Sequence, residues 1–364
     1  MTKFKQNKLI SCINIILLLI AVAFVAPHTA QANQSSESSV LERPLELIKE
    51  GRTQAAVSEL ETIVGNNPQD QQARSLLADL YVTQNKTSKA EKNYSKVIKM
   101  NPNNAQAYNN LGIVYLKEGK TKKAMDHFRL AIEKDPKLAE AHYNLGEAAL
   151  IAGKSKIAAD YFQKVLNLNP KDKSVHGKLG VALAQSGAIS EALPHFKEAI
   201  QADPADFQSR NDLGFAYLNL GKPDQALPQF QEVLKSHPDS TMAHFGLGLS
   251  LKSLGKSEEA IQAFKKTHEF SPKFVDSYLQ AGYLFDSLGK MGEATPEFEK
   301  AAKLYRDLFR KGAESSSARL TFARILLRVD KADEAKDQLG KVLKAEKPES
   351  QIHKEAQVLL EKIK

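Results

Sequence analysis

Seven prolines recur along this chain of 364 residues, each 34 residues after the last. They are Pro68, Pro102, Pro136, Pro170, Pro204, Pro238 and Pro272. Two glycine series, one alanine series and one aromatic series run in phase with them. The aromatic series consists of Tyr94, Phe128, Phe162, Phe196, Phe230, Phe264 and Phe298. A fixed period of this length indicates stacked units, each of which covers an apolar face of its neighbour.

One repeat reads as two helices. In residues 105–138, apolar side chains recur at helical spacing on both sides of Gly119, which tolerates the positive φ that ends a helix. Pro136 ends the second helix, because proline disfavours helix at the residue before it. Gly112 lies where a side chain would separate the two helices, and we expect Phe128 to fill the space between units.

The stretch from Tyr108 to Tyr115, followed by Ala124, Phe128 and Pro136, resembles the repeat of the tetratricopeptide-repeat family. The resemblance covers nearly all of the chain after its N-terminal segment. It implies an all-α, right-handed superhelical solenoid of stacked helix-turn-helix units. The first helices of the units would line a concave groove, which in that family holds a peptide or a helix of a partner.

The phase of the repeats predicts the organisation of the chain. Eight repeats fill residues 41–308, and the first of them is degenerate, with Pro44 in place of a glycine. A slip of register and a degenerate ninth repeat occupy 309–349, and 350–364 form a capping helix, which arrays need at an exposed end. Residues 33–40 are polar, and we expect a disordered linker there.

The first 32 residues have the layout of a secretory signal peptide. Three lysines precede a mostly apolar run over residues 9–26, and Ala30-Gln31-Ala32 follows as a cleavage pattern. We expect cleavage after Ala32 and export to the periplasm or the exterior. An uncleaved membrane anchor is the alternative, and it is the only membrane contact that the sequence predicts. Lipidation at Cys12 is not favoured, because a lipidated cysteine follows the apolar run and Cys12 precedes the densest part of it.

The charge of the chain gives no sign of a nucleic-acid partner. The formal net charge is +8, but without Lys3, Lys5 and Lys8 the chain has 48 basic and 43 acidic residues. The remaining excess is spread along the sequence, with no basic block or basic–aromatic stripe that would follow phosphates. We expect a protein or peptide partner and no nucleic acid.

The motifs of catalysis and of metal binding are missing or explained by the repeat. Gly153-Lys154-Ser155 lacks the earlier glycine of a phosphate-binding loop, and its Gly-Lys pair recurs between the helices of other repeats. His142, His176 and His244 share one repeat position, which Tyr and Arg fill elsewhere, so a packing role is favoured over a metal site. We expect no enzyme activity, no cofactor and no bound metal.

The favoured function is that of an exported interaction scaffold, which binds a peptide or helix of a partner in envelope, secretion or pilus assembly. This assignment to a system is analogy of fold. The alternative is a glycan- or small-molecule-binding accessory protein of a polysaccharide-handling system. Neighbouring genes for one or the other system would discriminate between them.

The resemblance places the second, fifth, ninth and twelfth residues of each repeat on the groove, with the sixth near it. Asn110 and Asn144 fall at the sixth position of adjacent repeats, and an amide can pair with an extended peptide backbone. The asparagine series then stops at Lys178. Solvated polar residues are the alternative interpretation.

The later repeats have apolar residues at the fifth and ninth positions. These are Phe215, Phe245, Leu249, Leu279 and Tyr283. They come from three successive first helices and are predicted to form one partner-binding patch, because exposed apolar patches mark binding sites. The alternative is that they pack between neighbouring first helices.

Overall fold

The structure is a computed structural model that describes residues 34–313 and 315–363. The predicted signal peptide, residues 1–32, lies outside the described residues. Within the described part the chain forms nineteen α-helices, a short 3-10 helix at Lys173–Val175 and no strand, so the predicted all-α fold is confirmed. None of these helices is both long and apolar enough to cross a membrane.

The helices follow one another with short connections. They are α1 Gln34–Lys49, α2 Thr53–Asn66, α3 Gln71–Thr83, α4 Thr87–Met100, α5 Ala105–Lys117, α6 Thr121–Lys134, α7 Ala139–Ile151, α8 Ser155–Leu168, α9 His176–Gln185, α10 Ile189–Ala202, α11 Phe207–Asn219, α12 Pro223–Ser236, α13 Thr241–Ser253, α14 Ser257–Phe270, α15 Val275–Ser287, α16 Met291–Arg310, α17 Ser316–Arg328, α18 Ala332–Ala345 and α19 Gln351–Glu361. They divide between two compact bodies, which meet at Ser186 and Gly187 in the sequence. The N-terminal body contains α1 to α9, and the C-terminal body contains α10 to α19.

Each repeat is a pair of packed helices whose ends are set by local chemistry. The Asp70 carboxylate accepts a hydrogen bond from the Ala73 amide at the start of α3, at 2.8 Å, which satisfies a donor that the helix leaves unpaired. At the other end of a first helix, Gly119 has a φ of +74°. Asn85 takes the equivalent place one repeat earlier, with a φ of 59°, because asparagine is among the few residues that tolerate this conformation.

The core of each body is built on the aromatic series. All seven rings of that series are almost completely buried. A Cβ added to Gly112 would lie 2.5 Å from the ring of Phe128, so the glycine leaves the space that the ring of its own repeat fills. The ring of Phe230 contacts the glycine of its own repeat, Gly214, and also Gly246 of the next repeat. The aromatic rings therefore pack within repeats and, at Phe230, between them.

The change of register after the eighth repeat lengthens one helix. Because Arg306 stands where the repeat would place a proline, α16 runs for 20 residues, against 14 for α14. The guanidinium of Arg306 donates two hydrogen bonds to Glu334 on α18, at 2.8 and 2.6 Å. This paired contact of planar groups joins α16 to the next second helix.

The N-terminal end of the described chain differs from the expected disordered linker over residues 33–40. Helix α1 begins at Gln34 and includes these residues from 34 onward. From Leu41 onward the helix is anchored by two buried side chains, those of Leu41 and Leu47. Helix formation is cooperative, so an anchored segment extends into adjoining residues.

Candidate partner-binding surface

A concave pocket of about 490 Å³, lined mostly by residues with polar side chains, lies between α3 and α5 in the N-terminal body. Its lining comes from the first helices of two successive repeats, together with one side chain of α4 and the residue that caps α5. The lining residues are Gln71, Gln72, Ser75, Leu76, Asp79, Tyr94, Asn104, Gln106, Ala107 and Asn110. We call it the α3–α5 pocket. Of the predicted site residues, Asn110 is part of it.

Asp79 is the one charged residue in the lining of the α3–α5 pocket. Its Oδ1 atom accepts a hydrogen bond from the hydroxyl of Tyr94 and one from Nδ2 of Asn110, the latter at 3.2 Å. Burial raises the pKa of Asp79 to about 6, and the two hydrogen bonds offset part of that rise. Burial, together with the neighbouring carboxylate of Asp79, raises the pKa of Tyr94 well above its ordinary value.

Amide side chains extend this polar surface into the next repeats. Oδ1 of Asn110 accepts hydrogen bonds from Nε2 of Gln106 at 3.0 Å and from Nδ2 of Asn109 at 3.4 Å. Asn144 on α7 donates from Nδ2 to Oδ1 of Asn109 at 2.9 Å. Hydrogen bonds thus connect Asp79 to Asn144 across three first helices, and we call this set of side chains the amide ladder.

The structure brings the two predicted asparagines into one network, but it does so through other residues. Asn110 and Asn144 are linked by Asn109, whose side chain is only 1% exposed. Each of the two donates one amide N–H to a neighbouring side chain. The second N–H of the same amide is left for a partner. Their role in binding a partner stays a prediction.

Sequence reasoning missed Asp79 and Tyr94 as site residues, although it had a signal for them. Tyr94 is the one tyrosine in an aromatic series that otherwise contains phenylalanine, and Asp79 is an acid at the ninth position of the same repeat. A hydroxyl in a core position needs a hydrogen-bond partner. An acid on the facing helix is the natural candidate.

The five predicted apolar site residues lie on α11, α13 and α15 of the C-terminal body. Phe215 packs edge-on against Phe230 with ring centroids 5.0 Å apart, and Tyr283 packs in the same way on Phe298 at 5.2 Å. Both contacts join the ninth residue of a repeat to the buried ring of the same repeat.

The other three apolar residues are also engaged in the C-terminal body. The ring of Phe245 lies 4.9 Å from that of Phe274. Leu279 is buried, while Leu249 is partly buried against the core. The geometry favours the packing alternative for these residues, and their role in binding a partner stays a prediction.

The repeat position of the histidines has a structural use. Nε2 of His142 lies 2.9 Å from the carbonyl oxygen of Pro136, and Nε2 of His244 lies 2.9 Å from that of Pro238. Arg74 donates to the carbonyl of Pro68 in the same way, at 2.7 Å. Side chains at this position therefore bind the carbonyl of the loop before their helix. Among the described residues, no group of three or more His, Cys, Asp or Glu could hold a metal ion.

Comparison with known proteins agrees with this architecture. A family model described as "Tetratricopeptide repeat" matches residues 75–139, 131–173, 143–207 and 211–273, and another of the same description matches 275–308. No curated protein sequence matches the chain.

Solved structures with similar folds include a tetratricopeptide repeat protein from Parabacteroides merdae. It has 17% sequence identity and a TM-score of 0.57, over 70% of this chain and 98% of that one. YrrB, described as a TPR protein with an unusual peptide-binding site, has 24% identity and a TM-score of 0.46, over 50% of this chain and 95% of its own. Pseudomonas aeruginosa pilF has 24% identity and a TM-score of 0.48, over 56% and 92%. The first family model alone covers more than half of the chain, and this protein therefore belongs to the tetratricopeptide-repeat family.

Proposed function

We propose that this protein binds an extended segment of a partner protein along α3, α5 and α7, and that it acts by binding rather than by catalysis. The observation that carries the proposal is the amide ladder beside the open α3–α5 pocket. Amide groups offer both donors and acceptors, which are the groups that an extended peptide backbone needs.

The internal hydrogen bonds of the amide ladder favour this role. They orient the side chains of Asn110 and Asn144 in the chain without a partner. Fixing side chains in advance reduces the entropy that is lost on association. Each asparagine still has an N–H for a carbonyl of the partner.

Cross-linking at defined positions tests the proposed surface. A photoreactive amino acid is placed at Gln72 or Gln106, which are exposed at the pocket, and at Lys96, which is exposed on α4. We expect the first two variants to cross-link the same partner protein in cell extracts, and the Lys96 control to give no such product. Equal cross-linking from Lys96 would contradict the proposed surface.

We also propose that the protein works outside the cytoplasm after removal of residues 1–32. The support is the arrangement of basic start, apolar run and Ala30-Gln31-Ala32. N-terminal sequencing of the protein from an envelope or secreted fraction should begin at or near Asn33. An intact Met1 in that fraction would exclude cleavage and favour an anchor.

The assignment to envelope, secretion or pilus assembly is part of the proposal and rests on analogy of fold. Affinity capture from the native envelope, followed by mass spectrometry, tests it. Recovery of assembly proteins supports this assignment, whereas recovery of polysaccharide-handling enzymes favours an accessory role in glycan handling.

A further inference from the structure

We propose that the α3–α5 pocket selects a lysine or arginine side chain of the partner, which the carboxylate of Asp79 binds. This inference rests on the proposed function and names the partner group that the pocket recognises. It is carried by the charge of the pocket and by a comparison between two repeats of the chain itself.

Asp79 has no counter-charge among the described residues that line the pocket. The other nine residues that line the pocket are uncharged, and no cation contributes to the pKa of this carboxylate. The arginine of the same helix is turned away, since Arg74 donates to the carbonyl of Pro68 and to Oδ1 of Asn93. A partly buried carboxylate without a cation is unfavourable, and a bound cation offsets part of that cost.

The groups on the neighbouring helices leave this charge uncompensated. The hydroxyl of Tyr94 on α4 and the amide of Asn110 on α5 are neutral donors to Asp79. Gln106, which donates to Asn110, also donates a hydrogen bond to the carboxylate of Glu140 on α7, at 3.2 Å. Glu140 has the same sign as Asp79, so it adds to the attraction of this part of the surface for a cation and does not neutralise Asp79.

A second carboxylate at the same repeat position of this chain is paired with a lysine. Glu147 occupies the ninth position two repeats after Asp79, and Nζ of Lys178 lies 3.2 Å from its Oε1. Lys178 is at the sixth position of the following repeat, which is the position that Asn110 has relative to Asp79. The same pair of repeat positions therefore forms an ion pair between Lys178 and Glu147, but only a neutral hydrogen bond between Asn110 and Asp79.

A partner lysine or arginine would complete at Asp79 the pair that Lys178 completes at Glu147. The pocket is open beside the carboxylate, so a long cationic side chain can enter it with its charged end at Asp79. The alkyl part of such a side chain would lie against Leu76 and Ala107, which also line the pocket. Because burial raises the pKa of Asp79 to about 6, binding should weaken as the pH falls through that value.

Peptide titration of the full chain tests this assignment. The probe is an N-acetylated, C-amidated pentapeptide of glycine and serine with a central lysine, and the matched probes have arginine or acetyl-lysine there. Binding is followed by NMR at the side-chain amide of Asn110 and at the backbone amides of α3. We expect the lysine and arginine probes to shift these signals, and acetyl-lysine to bind at least about tenfold more weakly.

Two variants make the outcome specific. Asp79→Asn keeps the hydrogen-bond acceptor and removes the charge, so it should reduce the affinity for the lysine probe by about tenfold or more. Glu147→Gln, which changes the paired carboxylate, should leave the affinity unchanged. Thermal unfolding of both variants verifies that they are folded.

Three results would overturn the assignment. They are equal binding of lysine and acetyl-lysine probes, an unchanged affinity in Asp79→Asn, and no shift at Asn110 with up to ~10 mM lysine probe, which corresponds to a negligible affinity. If Gln72 and Gln106 still cross-link a partner in those cases, the proposed function stands and only the cationic selection fails.

Discussion

The hydroxyl of Tyr94 on α4 donates a hydrogen bond to Oδ1 of Asp79 on α3. In later repeats the same two positions hold apolar pairs, such as Phe230 with Phe215 and Phe298 with Tyr283. The contact between these two positions is thus made by a hydrogen bond in the repeat of Asp79 and by two aromatic rings in the repeats of Phe215 and Tyr283. The hydrogen-bonded contact places a carboxylate on the surface of the first helices, whereas the contact between two rings does not.

The carboxylate of Asp79 should make the stability of the protein depend on pH. Its pKa in the folded state, about 6, is above the ordinary value of 3.8. Between these values the folded protein holds a proton that the unfolded chain has released, so this contribution to stability is lost as the pH rises through the window. The free energy of unfolding should fall by up to about 3 kcal/mol from this group.

Urea unfolding of the wild type and of Asp79→Asn, from roughly pH 4 to pH 8, measures this effect. Asparagine does not titrate, so the variant should gain stability relative to the wild type as the pH rises. Other titrating groups cancel in the difference. Parallel curves for the two proteins would show that Asp79 does not carry the shift.

The amide ladder predicts the effect of replacing both of its predicted asparagines. In an Asn110→Ala, Asn144→Ala variant, Asp79 loses a donor and the buried Asn109 loses the donor to its Oδ1 atom. The variant should lose ~1–3 kcal/mol of stability for each unpaired group. It should also bind the partner about tenfold more weakly, measured by titration well below its melting temperature.

The control for this variant is Ser95→Ala, which changes an exposed residue on α4. It should leave both stability and affinity unchanged. Full partner affinity in the double asparagine variant would mean that the amides serve the fold and not the partner.

The aromatic residues of α11 and α13 are expected to act mainly in packing. Changing Phe215 and Phe245 to Ser removes ring contacts with Phe230, Phe264 and Phe274. The melting temperature should fall by about 5 °C or more, while partner affinity should be retained.

Met242→Ser is the control for these phenylalanine changes, because Met242 is also on α13 but is 45% exposed. It should change the melting temperature little. If the Phe215, Phe245 variant loses partner affinity while its melting temperature is unchanged, the packing interpretation is wrong and these residues form a binding patch.

Glycines inside helices should respond to alanine in opposite directions. A Cβ at Gly246 would lie 2.3 Å from the ring of Phe230, whereas at Gly340 on α18 it would meet nothing within 4 Å. Gly246→Ala should therefore cost ~1–3 kcal/mol through overpacking, and Gly340→Ala should stabilise by ~0.5–1 kcal/mol through helix propensity. Denaturant unfolding of both variants measures the signs, and stabilisation by Gly246→Ala would contradict the packing.

The repeat and its packing were predictable from the sequence, because both depend on local spacing. Gly112 and Phe128 stand 16 residues apart in one repeat, and their contact follows from two helices joined by a short turn. The hydrogen bonds of the amide ladder were not predictable, because Asn144 donates to Asn109, which is 35 residues away in the sequence. Which amide faces which depends on the stacking of separate repeats. The hydrogen bond between His142 and the carbonyl of Pro136 was not predictable either. Every residue has a backbone carbonyl, so the sequence does not indicate which one a side chain binds.

The pairing of ring and glycine also has a consequence for how the gene can change in length. Gly112 and Phe128 belong to one 34-residue segment, so loss or duplication of the whole segment keeps the glycine with its ring. Gly246 and Phe230 belong to adjacent segments, and deletion of 241–274 would place Gln280 opposite that ring. Loss of residues 241–274 alone should therefore place a long side chain against the ring of Phe230, whereas loss of residues 207–274 removes the ring and its second glycine together.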